Sequence, residues 1–122
     1  MSNIINIAEA YYLAMGAKNV TEMGKYLHPD VHFDGPQSDM KGRGDVLDVV
    51  AKLLPFFQSL TIRDKLSTGN QVMVAYDIHS LPPIGNLPVT AILTIEENQI
   101  IKIVLFYDAR PFDMTMSHKF GQ

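Results

Sequence analysis

"ENQIIKIVLFYD", residues 97–108, is the stretch whose reading decides the fold. Ile101, Ile103, Leu105 and Tyr107 alternate with Lys102, Val104 and Phe106. That is a period of two, the pattern of a strand with one face against a core. Working backwards, Val89, Ala91, Leu93 and Ile95 repeat it, as do Val72, Val74, Tyr76 and Ile78. Strands are therefore expected over 60–67, 71–80, 87–96 and 99–108. Thr68-Gly69-Asn70 and Glu96-Glu97-Asn98 serve as tight connections, and "LPPIGNLP" (81–88) as a longer loop.

Upstream of residue 57 the period changes to 3.6. Ile4, Ile7, Ala8, Tyr11 and Met15 form one side of a helix over 4–17, with Ser2 or Asn3 available as N-cap. Thr21 can cap a second helix, 21–27, which His28-Pro29 ends because the residue before proline avoids the helical region. Residues 31–33 read as a short strand and "DGPQSDMKGRG" (34–44) as loop. Asp45 caps a third helix, 45–54, whose Val46, Val49, Val50, Leu53 and Leu54 share a side. Helices followed by an antiparallel meander give an α+β fold, three helices packed on one face of a curved sheet, in a single domain over 1–122.

The chain has 122 residues, no cysteine and a formal net charge of −3, so disulfides, thiol nucleophiles and thiolate metal sites are excluded. Its basic residues are dispersed, which disfavours nucleic acid as a partner because no Lys/Arg run is available to displace counterions from phosphates. The start, "MSNIINIAEAYYL", lacks the basic and apolar regions of a signal peptide, and no apolar run approaches the ~20 residues of a membrane span. A cytoplasmic protein is the expectation. The strand faces that oppose the helices carry Met73, Ala75, Ile92, Val104 and Phe106 among Asp77, His79, Thr90, Thr94 and Lys102. A sheet face this apolar implies a partner, and a homodimer through the sheet is expected.

Element order, together with "HPDVHFDGP" (28–36), "GRGDVLDVVAKL" (42–53) and "ENQIIKIVLFYD", resembles the cone-shaped, cystatin-like α+β barrel of the nuclear transport factor 2-like superfamily. Within it the chain is most similar to the SnoaL-like group, relatives of polyketide cyclases and ketosteroid isomerase. The resemblance implies cofactor-free acid–base chemistry on a small hydrophobic carbonyl compound. Laid along this sequence, the isomerases' carbonyl-binding tyrosine falls on Tyr11 and their general base on Asp34. Their second acid falls near Ala91, beside Thr90 and Ile92, where no acid stands. Losing one oxyanion donor costs ~3–4 kcal/mol of transition-state stabilisation, so efficient steroid isomerisation is not expected.

Each candidate has a structural reading beside the functional one. Asp34 precedes Gly-Pro and could be a turn residue, and Tyr11 could be core packing with its hydroxyl on a backbone carbonyl. His32 shares strand parity with Asp34 and could orient it, or simply face solvent. His28 and His32 are separated by Pro29 and have no third ligand at metal spacing, so no metal site is expected. Asp108 is a possible acid in SnoaL-like proteins, but parity turns it away from the pocket, and Arg110 is a ready partner. Phe33, Phe56, Phe57, Tyr76, Leu93 and Tyr107 are expected pocket walls or core. The alternative to an enzyme is a non-catalytic module of the same fold that binds an apolar ligand or associates through its sheet.

Overall fold

The structure, a computed structural model, describes residues 3–36, 38–82 and 84–110. Helix α1 (Asn3–Gly16) and the short α2 (Val20–Gly24) precede strand β1 (Leu27–Asp34) and the three-residue β2 (Asp39–Lys41). Helix α3 (Arg43–Leu53) runs into one 3-10 turn, Leu54–Phe56. Strands β3 (Phe57–Thr68), β4 (Gln71–Ser80), β5 (Asn86–Glu96) and β6 (Gln99–Phe106) complete a six-stranded sheet of order β2-β1-β6-β5-β4-β3. Three helices on a curved sheet agree with the sequence expectation. The sheet is mixed, however, because β1 runs parallel to β6, and it remains open at β2 and β3.

Several boundaries moved for identifiable reasons. Asn19, not Thr21, caps α2, its side chain accepting from the Glu22 N–H at 3.0 Å. The left-handed residue that ends α1 is Lys18 (φ 60°), and the Asn19 N–H closes back on the Ala14 carbonyl at 2.9 Å. Gly42 at φ 101° takes the N-cap position of α3, which leaves Asp45 inside the first turn, where its charge still favours the helix dipole. Ser2 lies outside the described residues. Pro29 does not keep the chain from β structure. It sits in an irregular stretch between the Leu27–Ile100 and His32–Lys102 pairs, where its missing N–H breaks no ladder bond.

The core forms where the helices close over one sheet face. Val72, Val74, Tyr76 and Ile78 of β4 and Leu87, Val89, Ala91, Leu93 and Ile95 of β5 are all buried, as the alternation requires. On β6 the buried residue at the strand start is Ile100 rather than Ile101. A bulge between the Thr94–Lys102 and Ile95–Ile100 pairs adds one residue, Ile101, and restores the pattern at Ile103. Across the narrow end, Val72, Leu93 and Ile103 are neighbours and 0% exposed, so that end is solid. Lys65 of β3 reaches Glu9 of α1 at 2.7 Å and ties the first helix to the sheet edge.

Candidate functional site

Toward the wide end the packing opens into a cavity of about 140 Å³. Helix α3 contributes Val49, Val50 and Leu53 on a three- and four-residue spacing. The sheet contributes Tyr76 and Ile78 from β4, Leu87 and Val89 from β5, and Leu105 from β6, with Tyr107 just beyond it. Phe57, Phe33, Met40, Ser38 and Met15 close the remaining wall. No charged side chain of the described residues lines this space. Among the described residues its polar side chains are the Tyr76 and Tyr107 phenols and Ser38.

Tyr76 belongs to a row of tyrosines that runs from the first helix to the cavity. The Tyr11 and Tyr12 rings meet edge-on at 4.9 Å, and Tyr12 lies 4.4 Å from Tyr76. Burial pushes the ionisation of Tyr12 well above the usual phenol range, and its hydrogen bond with Tyr76 raises it further. That bond pulls Tyr76 the other way, against the larger upward push of burial. Tyr12 and Tyr76 thus share a buried hydrogen bond, with Tyr76 the member of the pair that reaches the cavity wall. Burial, then the neighbouring Tyr76, raises Tyr11 as well. The Tyr11 hydroxyl is buried and meets no hydrogen-bond partner among the described residues.

The structure separates the residues expected to act together. Tyr11 is 1% exposed inside the core and is not part of the cavity wall. Asp34 is exposed at the end of β1, paired across the ladder with Val104 on one side and Asp39 on the other. Adjacent strand residues point to opposite faces, and Phe33 is the one that faces the cavity. Asp34 therefore lies on the outer face with Val104. His32 shares that face and holds Asp39 at 2.6 Å instead of orienting Asp34.

Of the expected walls, Phe33, Phe57, Tyr76 and Tyr107 line the cavity, whereas Phe56 is 55% exposed and Leu93 fills the solid end. Asp108 is exposed and clasped by Arg110 at 2.7 Å, and these bonds hold its carboxyl down to about 2. Met15, Ser38, Met40, Val49, Val50, Leu53, Ile78, Leu87, Val89 and Leu105 were not anticipated as walls. The helical spacing of Val49, Val50 and Leu53, and the parity of Val89 and Leu105, were the available signals. Ser38 and Met40 gave none. No group of three His, Asp or Glu among the described residues could hold a metal ion, and none of the described helices is long and apolar enough to cross a membrane.

A family model described as a SnoaL-like domain matches residues 8–103. No curated protein matches the sequence. Among solved structures, a putative ketosteroid isomerase from Kribbella flavida superposes with TM-score 0.78 at 18% identity, covering 87% of this chain and 78% of that one. A cystatin-fold protein from Novosphingobium aromaticivorans gives 0.77 at 18% identity over 87% and 98%. TerC, co-crystallised with polyporic acid, gives 0.79 at 16% over 93% and 97%. At these identities the likeness is one of fold.

Proposed function

The chain belongs to the SnoaL-like domain family, and from that premise we propose that it binds a small apolar molecule in the cavity between α3 and the sheet. The observation that carries this reading is the wall itself: aliphatic and aromatic side chains from every layer of the fold, with phenolic hydroxyls as its main polar groups. A largely apolar hollow with a few polar groups is the usual form of a ligand site. A methyl-resolved NMR titration with a library of apolar fragments tests it. Shifts should gather at Val49, Val50, Val89 and Leu105. They should vanish in Val49→Phe, whose larger side chain projects from a half-buried position into the space. Shifts scattered over the surface, or unchanged in V49F, would refute the reading.

The acid–base enzyme built on Tyr11 and Asp34 draws support from the family alone, because neither residue lines the cavity. Asp34→Asn should leave fragment binding unchanged. A family-type proton-transfer activity that this substitution abolished would restore the catalytic reading. Association remains part of the proposal. On the outer sheet face, Met73, Ile92 and Val104 lie beside Phe106, which is 53% exposed. Charges of both signs, Asp77 with Arg63, Asp34 opposite Val104 and Lys102 opposite His32, share that face, as a self-complementary two-fold contact needs. Sedimentation should give twice 13.6 kDa, and Phe106→Glu should give a folded monomer. A wild-type monomer at working concentration would exclude the dimer.

A further inference from the structure

We infer that the cavity selects an uncharged, single-ring compound bearing one hydroxyl or carbonyl oxygen, with Tyr76 donating the hydrogen bond that orients it. This rests on the reading that the hollow is the ligand site, and it narrows the ligand by size, charge and polarity.

Size comes first. At about 140 Å³ the hollow is smaller than the ~300–1,000 Å³ of common drug-sized sites. It matches an engineered apolar cavity of roughly 150 Å³ that holds one benzene. Fused three- and four-ring molecules exceed it and would have to leave rings outside the mouth, because at the narrow end Val72, Leu93 and Ile103 already fill the space. Aromatic side chains Phe33, Phe57, Tyr76 and Tyr107 stand in the wall, which favours a flat ring as the guest.

Charge comes second. A carboxylate or phosphate would be stripped of water with no Lys, Arg or His of the described residues in the wall to repay it. An ammonium would meet aromatic faces but no carboxylate of the described residues, since Asp34 and Asp108 are both exposed and neither lines the cavity. Polarity comes last. Tyr76 is 2% exposed, borders the hollow and packs on Tyr12 at 4.4 Å, and a phenol can both give and accept, so its hydroxyl can donate to a guest. An oxygen on the guest supplies the acceptor.

The experiment uses the whole chain and five probes: phenol, toluene, benzoate, phenyltrimethylammonium and 9-phenanthrol, each followed by methyl NMR shifts at the cavity wall. Phenol and toluene should bind there, phenol the tighter, and the other three should bind at least tenfold more weakly or not at all. In Tyr76→Phe phenol should weaken by about three- to tenfold, the loss of one hydrogen bond, while toluene is unchanged. Equal losses for phenol and toluene would show a damaged cavity and remove Tyr76 as the donor. Tight binding of benzoate, the cation or phenanthrol at the same methyls would overturn the selectivity but keep the cavity as a ligand site. Failure of every probe would overturn both.

Discussion

Replacing Tyr11 by Phe should make the protein more stable. The hydroxyl is buried, 1% of the residue is exposed, and no partner for it stands among the described residues. An unsatisfied buried polar group costs ~1–3 kcal/mol relative to its hydration in the unfolded chain. Removing the oxygen relieves that cost and leaves a void of one atom, which forfeits under ~1 kcal/mol of dispersion contacts. The ring stays, and with it the edge-on contact with Tyr12 at 4.9 Å. The net expectation is a gain of ~0.5–2 kcal/mol in urea unfolding at unchanged slope, or roughly 2–8 °C in Tm for a domain of this size. Tyr12→Phe is the contrast. Its hydroxyl is bonded to Tyr76, so its removal should cost ~0.5–1.5 kcal/mol. If Y11F lost more than about 1 kcal/mol, the hydroxyl would have to be satisfied in the folded state, and the account of the tyrosine row would fail.

Other consequences can be measured separately. The turn between β5 and β6 holds Glu97 at φ 51° and Asn98 at φ 66°. Asparagine tolerates this left-handed region better than glutamate, so Glu97→Asn should add ~0.5–1 kcal/mol by chemical denaturation, and a loss would contradict the turn. Asp108 should titrate near about 2 by NMR and return toward the ordinary carboxylate range in Arg110→Ala. Its folded value is depressed, so the pair favours the native state above the unfolded value and is lost as pH falls through the folded one. Both groups are exposed, so the titration is the readout rather than Tm. The buried phenols run the other way. Tyr11, Tyr12 and Tyr76 are raised, so the native state keeps their contribution below pH ~10 and loses it as pH climbs. Alkaline unfolding should coincide with their phenolate absorbance. Ionisation of all three well before unfolding would show that they are wet.

Alternation in β4 and β5, and the helical spacing of Ala8, Tyr11, Val46 and Val50, made most of the architecture legible, because burial of one face imposes both periods. What stayed hidden involved single residues that break a pattern. Ile101 looks like a core residue until the bulge moves that role to Ile100. Strand β2 is three residues inside a glycine-rich stretch, too short to alternate, and Pro29 hides the true length of β1. Asp34 is the instructive case. The alternation of Val31 and Phe33 with His32 and Asp34 was enough to turn the carboxylate outward once β1 was known to lie in the sheet. Family alignment pointed the other way. The cavity was foreseeable in kind but not in extent, since local spacing does not reveal where two packed layers leave a gap.

The parallel junction of β1 with β6 bears on how the chain emerges from a ribosome. Leu27 waits for Ile100, and Phe33 for Ile103, before either gains its neighbour. Closing so long an intervening segment is entropically slow, whereas the β3–β4 and β4–β5 hairpins form from adjacent sequence. Strand β1 therefore spends most of translation without its parallel neighbour, whereas the first helix can already dock on β3 and β4. Termination before residue 100 leaves an incomplete sheet that quality control can recognise.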